Sequence, residues 1–169
     1  IHIAEKSNLS SGEKATVFYN LATLYTVTKT YDLAIKNVAQ ALRLEEKDFG
    51  ENDPRTNNYR ESLANLYRHI GKVGEAEMLL QKNLTNSRVF YGHNHESTAT
   101  SMRAMAQFYI RIGTLKQALP MFTDAFIAEE QNISLALSSA SDREKMEVLA
   151  QRTEGVEALL SFHSSLAPN

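Results

Sequence analysis

Apolar side chains recur along this chain at spacings of three and four residues. Phe18, Leu21, Ala22 and Tyr25 form one such stripe, and this spacing corresponds to one face of an α-helix. A second helical stripe follows at Ala34, Val38, Ala41 and Leu42. The two stripes predict a pair of amphipathic helices that pack together as a hairpin.

The hairpin pattern repeats with a period of 42 residues. Residues 21–25 read Leu-Ala-Thr-Leu-Tyr, residues 63–67 read Leu-Ala-Asn-Leu-Tyr and residues 105–109 read Met-Ala-Gln-Phe-Tyr. The same offset links Gly71 with Gly113, Ala34 with Ala76 and Ala118, and Val38 with Leu80 and Phe122. So many matches at one spacing indicate an internal repeat, and repeated hairpins stack into a solenoid.

Residues that begin or end helices occur at the borders of the stripes. Gly71 and Gly113 lie in the joint of their hairpins, where glycine adopts the left-handed conformation that ends a helix. Asp53-Pro54 is typical of an N-cap followed by proline at the first helical position. Capping-box spacing occurs at Ser10 with Glu13, Thr114 with Gln117 and Ser141 with Glu144. The predicted helices span residues 12–29, 31–49, 53–70, 73–91, 95–112, 115–139, 142–153 and 155–166.

The register of the repeat divides the chain into three parts. Residues 1–11 align with the end of a second helix, so we expect them to close a preceding repeat and the chain to be a fragment of a longer array. Residues 12–130 form an array of about three hairpins. Residues 131–169 have no fourth copy of the Leu-Ala-x-x-Tyr motif, and we expect capping or linker helices there.

The fixed small and large positions of each unit resemble the signature of the tetratricopeptide repeat. In the first unit these positions are Leu21, Ala22, Tyr25, Ala34 and Ala41. The second unit departs from the signature at its last small position, which is Asn83. The resemblance implies an all-α fold, namely a right-handed α-solenoid of helix-turn-helix hairpins with extra C-terminal helices, and a concave face that binds a protein or peptide.

The unit of 42 residues is longer than the common repeat of this family, which has about 34 residues. In this greater length it resembles the kinesin-light-chain class of the family. The loop pattern of that class, Gly-x-x-His/Asp-Pro, occurs at residues 50–54 and, without the proline, at residues 92–96. Pro120 lies inside a predicted helix, at a place where that class often has proline.

Residues 131–137, 141–145 and 160–163 resemble the segment that joins such repeats to a CHAT domain, a caspase-like protease module found in many bacterial proteins. This resemblance implies an alternative function. The chain would then be the regulatory or sensing arm of a CHAT-type cysteine protease whose catalytic domain is absent from this chain.

Composition narrows the functional classes. The net charge of −2, from 18 basic and 20 acidic residues, gives no sign of the basic face that nucleic acid requires. An RNA-binding helical repeat would also need a basic groove. The sequence contains no cysteine, which fits a reducing compartment, and no apolar run approaches the ~20 residues that span a bilayer. We expect a cytoplasmic protein that binds neither nucleic acid nor membrane.

Few residues suggest catalytic or metal chemistry. His93 and His95 could contribute to a metal site, but no third ligand cluster accompanies them, and we favour packing or capping at a helix start. Ser161 and His163 suggest a hydrolase, but no nucleophile elbow or oxyanion motif accompanies them. We expect no enzyme activity, no cofactor and no metal.

The candidate binding site is the set of polar positions beside the packing stripes of the first helices. These positions are Thr16, Tyr19, Thr23, Asn58, Glu61, Asn65, Arg68, Thr100, Arg103, Gln107 and Arg111. Asparagine and glutamine can pair with a peptide backbone, and arginine can bind a carboxylate. Ordinary solvated residues are the alternative.

Two geometric expectations follow for this set, because residues 42 apart become neighbours in stacked repeats. Asn65, Arg68, Arg103 and Arg111 should lie close enough to act on one ligand, and Glu61 should pair with Arg103. We then expect a groove that prefers a polar peptide over a strongly acidic one.

Overall fold

The structure is a computed structural model that describes residues 9–139, and over this range it consists of helices without strands. The helices are α1 Ser11–Val27, α2 Tyr31–Phe49, α3 Asn57–His69, α4 Val73–Tyr91, α5 Glu96–Arg111 and α6 Leu115–Ser139, with a 3₁₀ turn at Pro54–Thr56 before α3. These bounds confirm the first six predicted helices. The predicted helices at 142–153 and 155–166 lie outside the described residues, as do residues 1–8.

Consecutive helices pack as the three hairpins α1–α2, α3–α4 and α5–α6, and α2–α3 and α4–α5 join neighbouring hairpins. The alanine of each Leu-Ala-x-x-Tyr-type motif is buried, since Ala22, Ala64 and Ala106 are at most 1% exposed. The 42-residue motif therefore places one small side chain per unit in the packed interior. This arrangement is the predicted all-α solenoid.

The joint of each hairpin contains a left-handed residue. Gly71 and Gly113 have φ of 81° and 79°, as predicted. The equivalent residue of the first hairpin is Lys29, with φ of 57°. A side chain at this position is strained, because Cβ approaches the following carbonyl oxygen.

The predicted caps are formed at two of the three helix starts that the structure describes. The Glu13 carboxylate accepts from the Ser10 N–H at 2.8 Å, and the Ser10 hydroxyl accepts from the Glu13 N–H at 3.3 Å. The Asp53 carboxylate accepts from the Arg55 N–H at 2.9 Å. Thr114 differs, because its hydroxyl donates to the Tyr109 carbonyl at 3.2 Å. The Ser141–Glu144 pair lies outside the described residues.

Arg60 is 1% exposed at the position that Phe18 and Met102 occupy in the other units. Its guanidinium pairs with Glu46 at 2.8 Å and also donates to the backbone carbonyl of Glu51. Arg60 therefore ties α3 to α2 and to the loop between them.

The C-terminal helix α6 continues through Pro120 to Ser139. The border between the array and the C-terminal segment, placed at residue 130, falls inside this helix and stays a prediction. The segments that resemble a CHAT linker lie beyond residue 139, apart from residues 131–137. Among the helices of residues 9–139, none has the length and apolar character needed to cross a bilayer.

Candidate partner-binding groove

The first helices of adjacent hairpins lie side by side. The hydroxyl groups of Tyr19 on α1 and Ser62 on α3 are 2.9 Å apart. The rings of Tyr19 and Tyr59 meet edge to face, with centroids 5.3 Å apart. Positions about 42 residues apart are thus neighbours on one surface, as the repeat register requires.

Two open depressions lie between α1 and α3. The larger, about 520 Å³, is lined by Tyr19, Glu45, Arg55, Asn58, Tyr59, Glu61, Ser62 and Asn65. The smaller, about 250 Å³, is lined by Tyr19, Ala22, Thr23, Thr26, Val27, Val38, Ser62, Asn65, Leu66 and His69. Because both share Tyr19, Ser62 and Asn65, they form one continuous channel.

A third depression of about 190 Å³ lies between α3 and α5. Its lining residues are Pro54, Asn57, Asn58, Glu61, Asn83, Tyr91, Ser97, Thr100, Ser101 and Ala104. Asn58 and Glu61 also line the larger depression, so α3 separates the two. We call the three depressions together the groove.

Glutamates dominate the end of the groove near the start of α3. Burial raises the pKa of the Glu61 carboxyl. Burial and then the negative charge of Asp48 raise the pKa of Glu45, while Arg55 partly opposes this shift. Both groups therefore lose solvation as carboxylates, and a positively charged ligand group would restore a favourable environment.

The opposite end, near the end of α3, is cationic. The Arg68 guanidinium lies 3.2 Å from the His69 ring nitrogen, and His69 stacks on Tyr31 with centroids 5.2 Å apart. Burial, followed by the positive charge of Arg111, lowers the pKa of Arg68. Burial, then Arg68 and then Arg111, lowers the pKa of His69. Arg68 and Arg111, which do not line the depressions, therefore place positive charge beside His69 at this end of the groove, opposite the glutamates.

The candidate residues fall into two groups. The residues that line the depressions are Tyr19, Thr23, Asn58, Glu61, Asn65 and Thr100. The remaining candidates do not line them: Thr16, Arg68, Arg103, Gln107 and Arg111. The hydroxyl groups of Thr16 and Thr23 donate to carbonyls of their own helix, at 2.9 and 3.1 Å.

The expected pair between Glu61 and Arg103 is wrong. Arg103 forms its salt bridge with Glu129 of α6 and donates to Thr100 at 3.1 Å. The Glu129 carboxylate on α6 binds the Arg103 guanidinium, and Arg103 does not line the depressions. Within residues 9–139, Glu61 makes neither a hydrogen bond nor an ion pair.

Several groove residues were absent from the candidate set. Glu45 lies on a second helix and Asn57 next to the 3₁₀ turn, so a rule restricted to the exposed face of the first helices excludes them. Ser62 and His69 are on α3, one position after Glu61 and Arg68. Asn83 carried a signal in the sequence, because it replaces a small residue of the repeat signature.

One of the two histidines, His95, has a structural role. His95 is the N-cap of α5, where its ring nitrogen Nδ1 accepts from the Ser97 N–H at 3.1 Å. Its ring also stacks on Tyr91, with centroids 4.6 Å apart. The described residues contain no cluster of three or more metal-binding side chains. Ser161 and His163 lie outside that range.

Comparisons with known proteins agree with this architecture. A comparison with curated proteins finds no match. Among solved structures, the crystal structure of BtubC (BKLC) from P. vanneervenii is similar, with a TM-score of 0.64 and 17% sequence identity. The alignment covers 98% of this chain and 71% of BtubC. At this identity the similarity shows the fold alone.

The sequence itself matches the tetratricopeptide repeat family at residues 13–82 and 56–126. These overlapping segments cover more than half of the chain and include all three copies of the Leu-Ala-x-x-Tyr-type motif. The chain therefore belongs to the tetratricopeptide repeat family.

Proposed function

We propose that the chain is a protein-interaction scaffold that binds an extended peptide segment of a partner in the groove. The observation that carries this proposal is that depressions lie on both sides of α3, between α1 and α3 and between α3 and α5, and share Asn58 and Glu61. The lining of the groove combines apolar surface with polar groups that have no internal partner, among them the Glu61 side chain. Tetratricopeptide repeats are in general protein-binding arrays, and the concave face of such a solenoid is its extended binding surface.

The charge distribution suggests the chemistry of the ligand. Glu61 and Glu45 line one end of the groove, and His69 lines the other, with Arg68 and Arg111 beside it. An extended peptide advances about 3.3 Å per residue, and the seven residues of α3 between Glu61 and Arg68 rise about 10 Å. A peptide with a basic and an acidic residue about three positions apart would complement both ends.

A library of random dodecapeptides displayed on phage tests the proposal. Peptides selected on the full chain should bind the wild type, and charge reversal by Arg68→Glu with Arg111→Glu should weaken that binding. Groove-end charges act mainly on the association rate and on salt dependence. We therefore expect a slower association and a smaller change of Kd between low and high NaCl, measured by fluorescence polarisation and stopped flow.

The matched control is Lys36→Glu with Lys47→Glu, because both lysines are exposed on α2 and the change in net charge is the same. The control should leave the association rate near that of the wild type. If no peptide is selected, or if the groove variant and the control behave alike, the peptide does not bind in this groove and the proposal fails.

A second candidate function is the regulatory arm of a CHAT-type protease. The sequence of the tail supports it, through the segments at residues 131–137, 141–145 and 160–163. Sequencing the complete gene provides the test. A downstream module with a His and Cys pair would support this function, and an unrelated downstream region would exclude it.

A further inference from the structure

The side chain of Asn83, on α4, is a buried amide whose nitrogen donates a hydrogen bond and whose oxygen accepts none within the described residues. It is 4% exposed and occupies the position of Ala41 and Ala125 in the other units. Its Nδ2 donates to the Asn57 carbonyl at 2.8 Å. Its Oδ1 is buried and accepts no hydrogen bond within the described residues. A buried acceptor without a donor pays the full desolvation penalty, and Asn83 lines the depression between α3 and α5, so a ligand donor that reached this oxygen would be bound favourably.

The donors around Asn83 are already engaged with one another. The Asn57 amide donates to the Ser87 hydroxyl at 3.0 Å, and the hydroxyl groups of Ser87 and Ser101 are 2.9 Å apart. Ser101 also donates to the Ser97 carbonyl at 3.2 Å. None of these three side chains donates to the Asn83 Oδ1.

Glu61 is the single charged residue among those that line this depression. Burial alone raises the pKa of its carboxyl, so no nearby cation offsets that burial. Arg55, which lines the adjoining depression with Glu61, pairs with Asp53. Other ion pairs join Arg60 to Glu46, Lys82 to Glu51 and Arg103 to Glu129. The depression thus combines an unpaired carboxylate with an unused amide oxygen.

We propose that this depression is the subsite for a lysine or arginine side chain of the bound peptide. The Glu61 carboxylate pairs with the cationic group, and the Asn83 Oδ1 accepts one of its N–H bonds. Both ligand groups supply several donors and no acceptor, which suits the unpaired Glu61 carboxylate and the Asn83 oxygen. This assignment rests on the proposed function and adds the side-chain class that the groove recognises.

A divalent metal ion fits the same place less well. Calcium takes six to eight oxygen ligands, several of them carboxylates, whereas the depression has one carboxylate and no cluster of metal-binding side chains. An organic cation needs only one ion pair and a few acceptors. The chemistry therefore favours a basic side chain.

The test repeats the dodecapeptide selection on three variants of the full chain: Asn83→Ala, Glu61→Gln and the control Glu75→Gln. Asn83→Ala restores the residue found at the equivalent positions 41 and 125, so the variant should fold, which circular dichroism checks. Glu75→Gln removes the same charge as Glu61→Gln, but from an exposed residue of α4 that lines none of the three depressions.

We expect wild-type selection to enrich lysine or arginine at one fixed position of the peptides. Asn83→Ala and Glu61→Gln should abolish that enrichment, while Glu75→Gln should retain it. For one selected peptide, each of the first two variants should weaken binding about tenfold, which is the size of one charge-assisted hydrogen bond. Replacing the enriched basic residue with norleucine should produce the same loss in the wild type and no loss in Glu61→Gln.

Three other outcomes contradict the inference, and they are distinguishable. Peptides that bind in the groove without an enriched basic position would overturn the subsite and leave the proposed function intact. Enrichment that survives both Asn83→Ala and Glu61→Gln would place the basic side chain elsewhere. Failure to select any peptide that responds to Arg68→Glu with Arg111→Glu would overturn the proposed function and the subsite together.

Discussion

Arg60 places a guanidinium in the core where the other hairpins have an apolar side chain. Taking a charge out of water is costly, and an apolar residue of similar volume often serves a buried site equally well or better. The ion pair with Glu46 is partly solvated, because the Glu46 side chain is 27% exposed. Solvation weakens the attraction between the two charges, so the pair adds little net stability.

We therefore expect Arg60→Met, which copies the residue at position 102, to change the free energy of unfolding by less than about 1 kcal/mol. Glu46→Ala, which leaves the buried guanidinium without its carboxylate, should cost more, about 1–3 kcal/mol. Urea denaturation monitored by circular dichroism measures both. A larger loss for Arg60→Met than for Glu46→Ala would mean that the buried pair is a net source of stability.

Lys29 carries the backbone strain of the first hairpin joint. Glycine relieves the clash of Cβ in the left-handed region, and Gly71 shows that the joint accepts it. We expect Lys29→Gly to stabilise the chain by about 0.5–1 kcal/mol. The control Lys36→Gly, at an exposed site within α2, should destabilise it by about 1 kcal/mol. Thermal unfolding measures the stability of both variants. If Lys29→Gly and Lys36→Gly lose the same stability, the joint is not strained.

At the scale of the element, the start of the second hairpin depends on a charged cap. Asp53 accepts from the Arg55 N–H and pairs with the Arg55 guanidinium at 2.7 Å. The side-chain and backbone hydrogen bonds from Arg55 lower the pKa of Asp53 from 3.8 to about 2. A depressed folded-state pKa means that the contribution to stability is present above the unfolded value and is lost as pH falls through the folded value.

Asp53→Asn keeps an oxygen that can cap the turn but removes the charge. We expect the variant to melt below the wild type at pH 7, and the difference to shrink as pH falls from about 4 to about 2. The control Asp48→Asn, at an exposed site on the other side of the loop, should show no such convergence. Scanning calorimetry across this pH range makes the comparison. A constant difference between Asp53→Asn and the wild type would show that the charge on Asp53 does not stabilise the turn.

At the scale of the whole molecule, stability depends on the contact between hairpins. Each unit of a solenoid contacts only its neighbours, so one insult at a close-approach site propagates through the short stack. Ala64→Arg and Ala106→Arg introduce a large charged side chain where exposure is 1% or less. Overpacking and poor solvation should cost about 1–3 kcal/mol or more.

The controls Asn65→Arg and Gln107→Arg lie one residue further along the same helices, at exposed positions. They should change stability by no more than about 0.5 kcal/mol. Thermal unfolding followed at 222 nm, by far-UV circular dichroism, compares the four variants. If the alanine variants have the same melting temperatures as their controls, the register that places these alanines between helices is wrong.

The amino-acid sequence alone determined the helices, the hairpins and their stacking order. Helical periodicity is local, and the 42-residue repeat applied the same local pattern three times, so agreement between the units identified the register. The left-handed joints at Gly71 and Gly113 and the Ser10 cap were predictable for the same reason, because a few neighbouring residues decide them.

Tertiary structure alone decided which side chains meet across helices. The repeat register placed Glu61 opposite Arg103, whereas the packing of α5 against α6 pairs Arg103 with Glu129. Arg60 looks like an interruption of the apolar stripe until the Glu46 carboxylate is seen beside it. The unused oxygen of Asn83 depends on which donors surround it in three dimensions. Pairing energies depend on distance and burial, and neither is contained in a periodic pattern.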